Sequence, residues 1–338
     1  MILRPWGHVD WLLGKLGDVP WSLLACCGSE TRSIALAQHL GRHRLRSAEI
    51  VAIHDAEPLN PHAHKKRLLA RRDSLLKCGY RENEIRDVEL LAGLDDKVEP
   101  LQRLIAGGST RLIIDVTSFP KVWFFPIIQT VLDSNHFEDV VVTYTSAVTY
   151  SDNLSENLAP LRALPGFFAE DGRSKHDSII VGIGFEPLGL IPLLKNQESN
   201  KIKLIFPFPP GPPGHLRNWM FVQQIEELTQ NEQIDAPDRV HIDMYDCPQI
   251  FDALCKMTND GDDTAAIAPY GPKTVSLAMC LFALSVAAVG KSRVPIYYAQ
   301  PHRYALDYTS GVRMRGNVPE ITGYCLRLGN RDLYTLPS

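Results

Sequence analysis

One order of landmarks runs through this sequence twice at a nearly constant spacing. An apolar run from Ser22 to Cys27, a turn Gly28-Ser29-Glu30 and a helical pattern through Ile34, Leu36 and Leu40 are answered by Ser178 to Ile183, Gly184-Phe185-Glu186, and Leu190, Leu193 and Leu194. Gly28 and Gly184 stand 156 positions apart, as do Glu30 and Glu186. A second β-type run, Glu49 to Ile53, returns as Ile202 to Phe206, and a third, Val88 to Leu91, returns as Val240 to Asp243. The fourth pair is the clearest. Arg111 to Val116 leads into Thr117-Ser118-Phe119-Pro120-Lys121, and Ala265 to Ala268 leads into Pro269-Tyr270-Gly271-Pro272-Lys273, with both prolines and both lysines 152 apart. Apolar helical stretches follow, Val122 to Leu132 and Val275 to Val289, and then the runs Val140 to Tyr144 and Val294 to Tyr298. Offsets confined between 152 and 156 indicate an internal duplication.

Strands alternating with helices require crossover connections, which implies a mainly parallel sheet covered on both faces. The expected architecture is therefore α/β, as two tandem Rossmann-like three-layer halves related by a pseudo-two-fold. With 338 residues the chain has room for both. The halves are expected at 1–170 and 175–338, with the boundary near Gly172 in the irregular stretch Leu164 to Ser174. Pro207 to Gly214 is too proline-rich for a helix or central strand and reads as a stiff surface loop, either a spacer or a ligand contact.

Composition excludes more than it selects. A net charge of -4 argues against an extended nucleic-acid surface while permitting a basic pocket for a small anion. Seven cysteines without a C-x-x-C pair fit a reduced, cytoplasmic setting. Met1 to Gly17 lacks the pattern of a signal peptide, and the most apolar run, Val275 to Val289, falls short of the roughly 20 residues a membrane span needs, so no membrane association is expected. There is no Walker A sequence, and Gly182-x-Gly184 lacks the third glycine of a dinucleotide fingerprint, so no cofactor is expected.

In open parallel sheets ligands bind beyond the carboxyl ends of the strands, where strand order reverses. This rule selects Gly28, Ser29, Glu30, Thr117, Ser118 and Lys121 in the first half, and Gly184, Phe185, Glu186, Tyr270, Gly271 and Lys273 in the second. Hydroxyls and backbone amides at a helix start suit phosphate, but Thr117 and Ser118 serve equally well as helix caps. Lys121 and Lys273 are harder to explain without an anion, because a helix start is already positive. His302 and Arg303 lie just beyond Tyr297, Tyr298 and Gln300; they suit phosphate with a tyrosine stacking a base, or else a polar rim. His54, Asp55, His62 and His64 match no metal-ligand spacing, and Pro58 and Pro61 suggest a solvated loop, so no metal is expected; His54 is a candidate base or purine-stacking contact. Cys26 and Cys27 read as a presented nucleophile or, more simply, as buried strand residues. Lys65 to Arg72, with Leu68, Leu69, Leu75 and Leu76, reads as an amphipathic helix with a solvated basic face rather than a nucleic-acid patch.

Asp115-Val116-Thr117-Ser118-Phe119-Pro120-Lys121 resembles the motif of CRISPR-associated Rossmann-fold (CARF) domains: an acid or amide, one residue, Ser or Thr, three residues, then Lys or Arg. The related SAVED domains resemble two such units fused in one chain. The resemblance implies that Thr117, Ser118 and Lys121 help bind a cyclic oligoadenylate. In the second half Lys273 matches, while Pro269 stands where a Ser or Thr would be. Once both halves are counted the chain has no room for a fused effector, so output would pass through a protein partner or a homo-oligomer.

The leading expectation is thus a ligand-sensing protein for a phosphate-bearing small molecule, a nucleotide second messenger in prokaryotic antiviral defence. The competitors are a phosphodiesterase cleaving such a nucleotide, with Lys121, Ser118 or His54 positioning phosphate and nucleophile, and a non-catalytic scaffold using the apolar helix Val275 to Val289 as a partner surface.

Overall fold

The computed structural model describes residues 3–17, 19–151, 154–169, 175–185, 189–196, 201–208, 214–231 and 238–337. Two compact units emerge: Met1–Asn157 with Pro301–Leu333, and Leu158–Gln300 with Tyr334–Ser338.

The first unit is built on β1 (Trp6–His8), β2 (Trp21–Cys27), β3 (Leu45–His54), β4 (Ile85–Glu89), β5 (Arg111–Asp115) and β6 (Asp139–Thr145). All residues of β2 and β5 are buried, as continuous apolar runs must be when a sheet is covered on both faces, whereas β4 at the edge is partly exposed along its length. Five of these strands lie in the order β6-β5-β2-β3-β4, all parallel. The strand Ile321–Leu328 adds antiparallel to β6, and β1 adds antiparallel beyond it. After α1 (Val9–Lys15), the crossovers run through α2 (Ala35–Leu40), α3 (Pro61–Lys77), α4 (Leu94–Ala106) and α5 (Lys121–Asp133), of which α4 and α5 pack on each other; the right-handed crossover rule assigns α2 and α3 to the opposite face. The winding runs outward from β2 to β4 and then jumps back over it to β5. The gap between β2 and β5 is therefore where strand order reverses.

The second unit repeats the plan with β7 (Ser178–Gly182), α6 (Leu190–Asn196), β8 (Ile202–Phe208), α7 (Gly214–Asn231), β9 (Asp238–Asp243), α8 (Cys247–Met257), β10 (Ala265–Pro269) and α9 (Lys273–Ala288). Its parallel order β9-β8-β7-β10 is that of the first unit, strand for strand. A parallel bridge from Ile267 to Ile296 puts the chain after α9 where β6 stands in the first unit. Alternation along β7 and β8 sends Ile179, Val181, Leu204 and Phe206 into one core with Leu190, Leu193 and Leu194 of α6 and Phe221, Val222 and Ile225 of α7.

Three expectations need amending. The boundary near Gly172 falls outside the described residues, and the units instead part at Asn157/Leu158 and again at Gln300/Pro301. Residues 301–333, expected in the second half, complete the first sheet because Ile321–Leu328 finds its hydrogen-bonding partner in β6. The apolar helix Val275 to Val289 is not a partner surface: Val275 to Ala283 and Val286 are buried, packed on α8 and β10. Of the proline-rich stretch, Pro207 and Phe208 end β8, and 209–213 lie outside the described residues. Among the described residues no helix is long and apolar enough to cross a membrane.

Candidate functional site

At the reversal in the first unit, Gly28 after β2 faces Ser118 after β5. A Cβ placed on Gly28 would lie 3.5 Å from Ser118 Cβ and 3.7 Å from its Oγ, an ordinary van der Waals separation. The two turns thus approach closely, with Ser33 Cβ 3.8 Å from the same point, and Gly28, Ser29, Glu30 and Ser118 are all half-buried.

Thr117 and Ser118 do not cap α5. Its N-cap is Pro120, with no side-chain cap bond. The Thr117 hydroxyl donates to Asp115 Oδ1 and accepts from the Thr145 amide at 2.8 Å, tying the end of β5 to the end of β6. Thr117 is buried, whereas Ser118 Oγ lies 3.5 Å from Glu30 Oε1. Lys121 is the first residue of α5 and is buried at the helix start. Lys273 is the first residue of α9, behind Pro272, and is half-buried.

Sequence reasoning missed the group that holds this edge together. Arg32 is 2% exposed and donates from Nε to Glu30 Oε2 at 2.9 Å and from Nη1 to Tyr144 Oη at 3.0 Å and the Thr145 carbonyl at 3.1 Å. Thr309 donates to the same carboxylate oxygen, and the Tyr144 and Tyr150 hydroxyls meet at 2.7 Å. Burial opposes the charge on Arg32, but Glu30 and then the two phenols outweigh it, so the guanidinium stays charged. Thr309 arrives because Thr309–Ser310 pairs antiparallel with Thr149–Tyr150. The turn after β2 is therefore fixed from below by Arg32 and from above by the returning chain.

The matching place in the second unit is closed. A Cβ on Gly184 would fall 2.1 Å from the Tyr270 carbonyl oxygen, and one on Gly271 would fall 3.0 Å from that of Ile183. The two turns press backbone on backbone, which glycine alone permits. Asn218 of α7 donates Nδ2 to the Gly184 carbonyl at 2.8 Å. The Tyr270 ring packs against Phe221 and Tyr298, and burial raises its phenol above the ordinary range. Glu186 lies outside the described residues.

The remaining candidates divide between the units. Tyr297 and Tyr298 pair with Arg162–Ala163 in the second unit. His302 and Arg303 belong to the first, where Arg303 reaches Glu156 at 3.4 Å. His54 is bound to Asp87 at 2.8 Å, with the His64 ring edge-on at 6.4 Å, while His62 is exposed. Asp55 accepts from the Tyr304 amide at 3.0 Å, and burial raises its pKa to about 6. No group of His, Cys, Asp and Glu suited to a metal ion occurs among the described residues. Cys26 and Cys27 are buried, and burial lifts Cys27 to about 12, which leaves a protonated, unreactive thiol.

On the basic face of α3, Lys65 and Lys66 are exposed as expected, while the three arginines are engaged. Arg67 donates to the Leu306 carbonyl and Asp307, and Arg72 pairs with Glu82 and Asp87. Arg71 donates from Nη2 to Thr31 Oγ1 at 3.1 Å, beside the turn that follows β2.

No family model matches the chain, and comparison with curated proteins gives no match. Among solved structures, the rRNA methyltransferase aviRa from Streptomyces viridochromogenes is 15% identical, with a TM-score of 0.22, over 44% of this chain and 78% of that one. A functionally unknown protein from Pseudomonas aeruginosa PAO1 is 10% identical, with a TM-score of 0.22, over 84% and 94%. An N-terminal ketoreductase from a macrolactin assembly line is 9% identical, with a TM-score of 0.21, over 79% and 64%. Likenesses this distant carry no argument about function.

Proposed function

We propose that the chain is a sensor of a small phosphate-bearing ligand, a nucleotide, which it binds in the first unit beyond the turns after β2 and β5; that the nucleotide is a cyclic second messenger rests on the sequence resemblance. The observation that supports this reading is the meeting of the turns of Gly28 and Ser118 at the point where strand order reverses, with Lys121 opening α5 after the second of them. Parallel sheets of this order hold their ligands at such a point, and a lysine at a helix start suits an anion. The two units are read as copies of one Rossmann-like fold, of which the second has lost its crevice to the contact of Gly184 with Tyr270. One ligand per chain follows. Ser118 and Lys121 are the ligand contacts, and Thr117 supports the strand ends. The link to a defence pathway, and to a partner or assembly that reads the signal, rests on the sequence resemblance.

The test is isothermal titration of the full chain with mononucleotides and cyclic oligonucleotides, followed by chromatography of the recovered ligand. Binding of one intact molecule per chain, abolished by Gly28→Val and unaffected by Lys273→Ala, is the expected result. Linear fragments in the recovered material would instead favour the phosphodiesterase, and no binding by the wild type would end the ligand reading.

A further inference from the structure

Arg71 is unlike its neighbours on α3. Arg67 and Arg72 each reach a carboxylate, at 2.8 Å and 2.6 Å respectively, but Arg71 has no ion pair among the described residues. Its Nε is shut away from solvent without a hydrogen-bond partner, and its Nη2 is held by the Thr31 hydroxyl at 3.1 Å. With Nε out of reach and no acid paired with it among the described residues, Arg71 keeps the donors of its Nη end for an incoming anion. The location is specific. Thr31 directly follows Gly28-Ser29-Glu30, and Arg71 is close enough to the end of β2 for its charge to act on Cys27.

We infer that Arg71 and Thr31 form a phosphate-binding site beside the turn after β2, the guanidinium contacting a phosphate oxygen and the threonine hydroxyl donating to another. This rests on the crevice reading above and deepens it: Ser118 and Lys121 follow β5, and Arg71 reaches the turn after β2 from α3. The Nη end of the guanidinium together with the threonine hydroxyl suits a terminal, doubly charged phosphate better than a bridging diester, because the monoester offers more charge and more unshared oxygens. The ligand class that follows is a phosphomonoester, a nucleotide with an end phosphate, whether linear or carried on a cyclic core.

The experiment compares adenosine, adenosine 5′-monophosphate and sodium phosphate, the last against sodium chloride at equal ionic strength, by titration calorimetry and thermal shift on the full chain. The expected result is that the monophosphate and inorganic phosphate bind the wild type, and that Arg71→Gln, which keeps a donor for Thr31 but no charge, weakens both by about tenfold to a hundredfold. Arg67→Gln and Arg72→Gln serve as controls and should stay within about twofold. Equal affinity in Arg71→Gln overturns the inference while leaving the crevice reading intact, provided Gly28→Val still abolishes binding. Adenosine binding that gains nothing from the phosphate also overturns it. If neither phosphate nor any nucleotide binds the wild type, the inference and the crevice reading fall together.

Discussion

Arg32 shows how much one side chain decides at the candidate site. Its charge is buried yet matched by Glu30, to which Thr309 of the returning chain also donates, and its remaining bonds reach Tyr144 and Thr145 at the end of β6. Removing one partner of such a pair leaves the other uncompensated, so Arg32→Met should cost about 3–5 kcal/mol in urea unfolding, and adding Glu30→Gln should restore part of that. Asp55 makes the pH dependence testable. Its pKa is raised by burial to about 6 in the folded protein, so its contribution to stability is fully present below its unfolded value, near 3.8, and is lost as pH rises through 6. Asp55→Asn should therefore gain stability relative to wild type on passing from pH 5 to pH 7.5, by on the order of 1–2 kcal/mol after screening, as read from paired denaturation curves. A wild type that loses no more than the variant over that interval would contradict the assignment.

The elements were legible where their logic is local. Buried parallel strands such as Trp21–Cys27 and Ala265–Pro269 are continuous apolar runs ending at turn residues, and the helices behind Lys121 and Lys273 begin as expected. The strand Ile321–Leu328 was missed because nothing in its own residues names β6, some 180 positions earlier, as its partner. Arg32 and Arg71 were missed for a related reason: a charge beside a helical pattern reads as solvated until Tyr144 or Thr31 is brought to it by distant pairing. The repeat set both turns in equivalent places of the sequence but could not tell that Gly28 has side chains at ordinary distances where Gly184 meets backbone. That difference predicts opposite responses to the same substitution. Gly28→Ala meets Ser118 at an ordinary distance and should be nearly neutral, whereas Gly184→Ala drives a methyl into the Tyr270 carbonyl and should lower stability by at least about 2 kcal/mol in thermal or chemical unfolding.

On the scale of the whole molecule, the first unit is discontinuous: residues 1–157 need 301–333 to finish the sheet. Arg327, buried on the returning strand, also accounts for the far end of α5, since it donates to the Leu132 carbonyl at 2.7 Å and pairs with Asp332. Cations are favourable at a helix C-terminus, so this strand holds the helix whose other end carries Lys121. A fragment 1–170 should accordingly fail to give a cooperative transition, while 1–157 joined to 301–333 through a short flexible linker should melt cooperatively, as followed by circular dichroism. A well-folded 1–170 would refute the dependence.

The late arrival of Ile321–Leu328 also has a consequence during synthesis. While the ribosome is still making the second unit, β6 presents an unsatisfied edge, and β1 waits for Ile321–Leu328, the strand it pairs with. The nascent chain must therefore shield its earliest-made sheet from stray partners for the time needed to translate about 150 further residues, an interval of many seconds in which a chaperone's grip would matter most.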